Sequence, residues 1–174
     1  MTQPRVAPLP DDEMTAEQRE LLSRGNLARL NIFRTLVRHP DLYRRWAAFG
    51  GYLLRDSTLA PRERELVILR TGHLCDAHYE VFQHTAIART VGLRDDELAQ
   101  IKVGPSAPGW SAFDRTLLTA VDELHASQRV SDATWAALAA TYDTKQILDL
   151  IFTIGQYTLV SMALNALGVQ IEQP

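Results

Sequence analysis

The segment Pro61-Arg62-Glu63-Arg64-Glu65-Leu66-Val67-Ile68-Leu69-Arg70 constrains the fold more than any other part of the chain. Pro61 suits the first turn of a helix, where its missing N–H would have had no partner anyway. Leu66 to Leu69 are four consecutive apolar residues. At about 100° per residue they face nearly every direction around the axis, so other helices must pack on most sides of this one. Helical periodicity recurs along the rest of the chain, and no stretch alternates convincingly enough to be a strand. The expected class is all-α.

Punctuation residues divide this helical sequence. Thr15 with Gln18 three residues later has the spacing of a capping box, predicting a first helix over Thr15 to Arg24 that Gly25 closes. A second helix is expected over Asn31 to Arg38, and a third over Asp41 to Leu54 after His39-Pro40, with Phe49-Gly50-Gly51-Tyr52 as a point of close helix approach. The helix begun at Pro61 runs to a bend or loosened turn at Gly72 to Asp76, and the next covers Ala77 to Val91 before Gly92. Shorter helices follow at Arg94 to Ile101, Ser111 to His125 and Ser131 to Ala140. The last, Thr144 to Leu167, starts at Asp143 with Gln146 in capping-box register. Its apolar residues cover more of the circumference than one core stripe needs, which predicts packing against a second copy of the chain. The connection Gly104-Pro105-Ser106-Ala107-Pro108-Gly109-Trp110 is read as a loop within one domain, residues 1–174, folded over a pocket.

Composition excludes several functions. With 174 residues, 46% of them apolar, the chain can form one ordinary domain with a substantial core. A formal charge of −3 leaves no basic footprint for nucleic acid. The stretch Ile147 to Leu167 contains Asp149, Gln156, Ser161 and Asn165, too polar for an ordinary membrane span, and the start of the chain has no signal-peptide core; a cytoplasmic location is expected. The single cysteine, Cys75, allows no disulfide within the chain, and the five histidines form no His-Glu-x-x-His pair, so no metal and no cofactor is expected.

The helix from Ala77 carries the chemical signal. Ala77, Val81, Ile87, Ala88 and Val91 fall on one apolar arc, and Glu80 and His84 lie inside it. His78, Tyr79, Gln83, Arg89 and Thr90 fall on the opposite, water-facing or interfacial side. Ionisable groups turned toward a core are costly unless paired. At a spacing of four they can form an ordinary helix ion pair, or a tuned carboxylate and imidazole set for acid/base chemistry. Glu65, opening the apolar run, is either a carboxylate paired with an arginine such as Arg70 or a third member of that set.

The run Arg62 to Arg70, then Cys75-Asp76-Ala77-His78-Tyr79-Glu80, His84 and Gly92-Leu93, resembles the carboxymuconolactone decarboxylase family, whose superfamily includes the alkylhydroperoxidase-D-like proteins. Leu9-Pro10, Asn31-Ile32-Phe33, Gly104 to Trp110 and Gly155 to Val169 extend the likeness over nearly the whole chain, with a core motif at about residues 58–102. The resemblance implies an all-α bundle built on a central helical hairpin, assembled into dimers, trimers or hexamers. In the redox members a Cys-x-x-Cys pair stands at the positions of Ala77 and Glu80. Both cysteines are absent here, so their thiol cycle does not carry over. Glu65 and His84 match the acid and the histidine of the family's proton relay.

The expected function is therefore cofactor-independent proton transfer, a decarboxylation or isomerisation of a small carboxylate or lactone. Glu65, Glu80 and His84 would do the chemistry, and Tyr79, Arg70 and Trp110 would hold the substrate. Two other readings are a thiol-linked antioxidant protein using Cys75 with an external thiol, and a non-catalytic oligomeric binding protein.

Overall fold

The computed structural model describes residues 3–23 and 25–172. Nine α-helices follow one another among these residues, with no strand. They are α1 (Ala16–Leu22), α2 (Asn31–Leu36), α3 (Pro40–Arg55), α4 (Pro61–Leu74), α5 (His78–Thr90), α6 (Asp95–Val103), α7 (Ala112–Ser127), α8 (Asp132–Ala139) and α9 (Thr144–Leu167). Short 3-10 turns at Asp11–Glu13 and Leu27–Arg29 precede α1 and α2.

Helix α4 is the axis of the bundle. Every residue from Arg64 to Gly72 is buried, and α4 packs against α5, α6, α7 and α9. Full burial of a side chain such as Leu66, Ile68 or Leu69 contributes roughly 1.5–3 kcal/mol, so the apolar run fixes the centre of the fold. One large core joins α4 to α7 and α9 through Leu66, Leu69, Leu117, Leu118 and Leu150. Two smaller ones lie under an N-terminal layer of α1, α2 and α3: Leu9, Met14, Leu22, Val37 and Tyr43 form the first. Ile32, Tyr79, Val160 and Leu164 form the second, between α2, α5 and α9.

Both expected capping boxes are formed, Thr15 with Gln18 and Asp143 with Gln146. Three expectations are corrected. Helix α1 ends at Leu22 with Ser23 as its cap, so Gly25 does not close it; Arg24, the expected last residue, lies outside the described residues. Gly72 does not open a bend but stays helical; an added Cβ there would lie 3.1 Å from Val81 Cγ2, so its hydrogen lets α5 approach α4 closely. The turn comes at Cys75 and Asp76, the latter at φ +51°. The Gly104 to Trp110 connection does not cover a pocket either. Ala107 and Trp110 plug the large core, and Trp110 Nε1 donates to the Gly104 carbonyl at 3.1 Å.

The α9 helix is long and apolar enough to span a bilayer, but 56% of its apolar window is packed inside the protein. Its buried polar residue Asp149 ties down the α3–α4 connection, accepting from Thr58 N, Thr58 Oγ1 and Tyr52 Oη at 2.7, 2.7 and 3.0 Å.

Candidate functional site

The α4–α5 hairpin brings Glu65 and His84 together from positions nineteen residues apart, His84 Nδ1 lying 2.7 Å from Glu65 Oε2. On the other side of the ring, His84 Nε2 lies 3.0 Å from Glu80 Oε1, one turn back along α5. Glu65 is fully buried, and Glu80 and His84 are 4% and 6% exposed. Arg64 Nε stands 3.5 Å from the other oxygen of Glu65, too far for a hydrogen bond but close enough to pair charge. Two carboxylates, one guanidinium and a protonated imidazole make a neutral cluster, which is how four ionisable groups tolerate burial. Burial opposes charge on His84, yet the hydrogen bonds and charges of Glu65 and Glu80 prevail and raise its pKa to about 9. At neutral pH the ring holds both protons.

The Glu65 carboxylate was expected to pair with Arg70 as one alternative; it pairs with His84 and Arg64 instead. The two carboxylates sit at opposite nitrogens of the same ring, so they do not converge on a point where an ion could bind. Among the described residues no group of three or more His, Cys, Asp or Glu side chains is arranged to hold a metal.

The cluster forms part of the wall of a cleft of about 770 Å³ between the N-terminal layer and the faces of α5 and α9. Glu80, Gln83, His84 and Ile87 line it from α5, and Gln156, Tyr157 and Val160 from α9. Phe33, Tyr43 and Trp46 form the facing aromatic wall, their ring centroids 5.9–6.3 Å apart. Tyr157 stands edge-on to His84 at a centroid distance of 5.0 Å. Burial, then the charges of Glu80 and Glu65, push its phenol well above the ordinary range, so it is a neutral donor.

Helix α3 contributes Gly50 and Gly51 to the same wall. Each glycine inside a helix costs roughly 1 kcal/mol relative to alanine, and the space they leave is occupied. A Cβ at Gly50 would sit 3.1 Å from Gln156 Nε2, and one at Gly51 would sit 2.5 Å from Arg55 Nη2.

Of the expected substrate-holding residues, Tyr79 lines the cleft, although it was placed on the water-facing or interfacial side together with Gln83. Both are instead fastened to the C-terminal tail: Tyr79 Oη and Gln83 Nε2 donate to the two oxygens of Glu172 at 2.7 and 2.6 Å. Burial and then the Glu172 hydrogen bond raise the Tyr79 pKa. Arg70 does not reach the cleft. Its guanidinium is spent on Asp122 and on the carbonyls of Ile101 and Lys102. Trp110 is a core residue on the far side of α4 and does not line the cleft. His78 is exposed, as expected for that side.

Cys75 follows the end of α4 outside the cleft, with Sγ 3.9 Å from His125 Nδ1 and its carbonyl held by Asn165 Nδ2 at 2.8 Å. Burial pushes its thiol pKa up, partly countered by Ser161 and Thr158. Arg55, Gln83 and Gln156 were not anticipated as cleft residues. The one signal for Arg55 was the paired glycine in the middle of an otherwise regular helix.

The fold is thus a helical bundle centred on an α4–α5 hairpin that carries a buried glutamate–histidine–glutamate cluster. Residues 40–123, just under half of the chain, match the carboxymuconolactone decarboxylase family. Solved structures share the fold at low identity. A Ralstonia eutropha protein described as an alkylhydroperoxidase AhpD core and as peroxidase-related superposes with a TM-score of 0.79 at 23% identity, over 99% of this chain and 95% of its own. An Agrobacterium tumefaciens protein of unknown function, ascribed to AhpD-type antioxidant defence, gives 0.73 at 21% identity over 79% and 94%. The debrominase Bmp8 in complex with 2,3,4-tribromopyrrole gives 0.77 at 13% identity over 96% and 91%. A sequence search of curated proteins found no match.

Proposed function

We propose that this chain is a cofactor-independent enzyme that transfers a proton to or from a small carboxylate or lactone. The observation that carries the reading is His84, clamped at both nitrogens by Glu65 and Glu80 in the wall of a cleft of ligand size. An imidazole raised to about 9 is loaded with its proton at neutral pH, which suits a general acid. Glu65 holds Nδ1–H and leaves Nε2–H facing Glu80, so the His84–Glu80 pair shares the mobile proton beside the cleft.

In a decarboxylation, the bond to the departing carboxylate breaks and its electron pair moves into an enolate conjugated with the lactone carbonyl. Carbon dioxide leaves, and the enolate carbon takes the proton from the His84–Glu80 pair. His84 is left neutral with Nδ1–H still donated to Glu65, and solvent at the cleft mouth restores the proton. Tyr157, protonated across the working pH range, is placed to donate to a developing oxyanion.

The test is carbon dioxide release from a carboxymuconolactone and from related small γ-carboxylactones, with wild type, His84→Ala and Glu80→Gln. Loss of turnover in both variants, with helical content retained, supports the reading; turnover unchanged in His84→Ala sinks it. A peroxide-consuming activity that disappears in Cys75→Ser and survives in His84→Ala would select the thiol reading instead.

The proposal includes a cytoplasmic homo-oligomer built on α9. Leu148, Phe152, Leu159 and Met162 are 50–65% exposed, and a Cβ at Gly155, between them, would meet nothing within 4 Å. Their spacing is that of a helix–helix seam. Sedimentation should show an oligomer that Phe152→Lys dissociates; a monomeric wild type would remove this part.

A further inference from the structure

Arg55 ends α3 with its guanidinium folded back over Gly51, and both residues line the cleft. The cleft's other charges are largely satisfied. Arg44 pairs with Glu17 and Asp41, and Glu80 with His84. Among the described residues no carboxylate lies within ion-pairing distance of Arg55, and Glu20, the remaining acidic residue of the lining, is not its partner. Arg55 is exposed at the cleft, and a guanidinium there without an acid presents a planar fork of donors that matches a carboxylate. Beside it, the Gln156 amide occupies the space left by Gly50 and adds a neutral donor and acceptor.

We infer that Arg55 is the carboxylate anchor of the cleft, that Gly51 is the positioning residue that seats its guanidinium, and that the ligand is a small ring bearing a carboxylate that stays on it through the reaction. The body of such a ring fits the aromatic wall of Phe33, Tyr43 and Trp46. With its carboxylate on Arg55, the ring is oriented across the cleft toward Glu80 and His84. A cationic ligand would meet the unpaired Arg55 with like charge. This inference deepens the proton-transfer reading and rests on it for the identity of the ligand as substrate, but binding is measured without turnover.

The experiment is calorimetric titration of the full chain with benzoate and with its neutral isostere benzamide. Wild type is expected to bind benzoate on the order of 10- to 100-fold more tightly than benzamide, the range of a charge-assisted hydrogen-bonded pair. Arg55→Gln should lose that preference. Gly51→Ala should lose it too, although it keeps every charge, because the new Cβ displaces the guanidinium from its seat. Arg55→Lys should restore only part of it, since an ammonium lacks the fork. Glu80→Gln should bind benzoate at least as tightly as wild type while losing turnover, so failure of the anchor and failure of the proton relay are separately visible. Equal affinity for benzoate and benzamide in wild type, no benzoate binding at all, or wild-type preference in Arg55→Gln would each overturn the inference.

Discussion

Helix α4 carries two buried charged clusters of opposite character. Toward α7, Arg70 donates from Nε and Nη2 to Asp122 at 2.6 and 2.8 Å and from Nη1 to the carbonyls of Ile101 and Lys102 at 3.0 and 2.8 Å. The backbone is shaped around it: Gly104, at φ +99°, has no side chain because any Cβ would collide with the guanidinium. Toward α5, Glu65 has one oxygen on His84 and the other without a hydrogen bond, and Arg64 Nε likewise has none. The first cluster commits four of the five N–H donors of Arg70 to fixed acceptors and does not line the cleft. The second is incompletely hydrogen-bonded at Glu65 and Arg64, and its other members, Glu80 and His84, line a cleft. A buried charge committed to fixed acceptors braces a fold; a buried charged cluster beside a cavity is a candidate site for chemistry.

The largest effect that would break or sharpen this contrast is on turnover. His84→Gln should lower it by roughly 10²–10⁴-fold, the span of general acid catalysis, with little change in circular dichroism; a variant of wild-type rate would erase the distinction. Next, Arg70→Leu should cost about 3–5 kcal/mol in urea unfolding, because Asp122 and two carbonyls lose their donor. The fraction still folded should turn over at the wild-type rate.

The pH dependence of stability comes third. The folded-state pKa of His84, about 9, lies above the unfolded value of 6.5. Its contribution, on the order of 3 kcal/mol, is therefore complete below about pH 6.5 and is lost as pH rises through about 9. Denaturation midpoints should fall across that window in wild type and not in His84→Gln. Fourth, Glu80→Gln removes one of the two carboxylates and should lower the His84 pKa, which the ring-proton shifts in an NMR titration would follow; an unmoved pKa would assign the whole elevation to Glu65. The smallest effect is Cys75→Ser, expected to leave proton-transfer turnover unchanged.

The sequence made the helices legible because each carries its own start and stop. Pro61, Thr15 with Gln18, Asp143 with Gln146 and Gly168 act within a few residues of the termini they set. It also made Glu80 and His84 legible, since a spacing of four on a predicted helix fixes their neighbourhood. The side of α5 that carries Tyr79 and Gln83 stayed open between water and an interface for the complementary reason. A helical wheel separates arcs but does not say which arc meets a second layer, and here the N-terminal layer and the Glu172 tail turn that side into a cleft wall. Arg70 and Trp110 were misassigned because an arginine's partner or a tryptophan's surroundings depend on α6 and α7, far along the chain.

What the sequence by itself determined is what short-range physics determines: an all-α chain, where most of its helices start, a central helix apolar all round, and a carboxylate–imidazole pair set into a buried arc. Only the tertiary structure decided that Glu65 is the pair's third member, that Arg70 is a brace, and that Arg55 faces the cleft. Those outcomes depend on which helices cross and how closely. The crossing distance at Gly72 or Gly50 turns on the absence of a single methyl group, whose effect appears only when a second surface arrives to use the space.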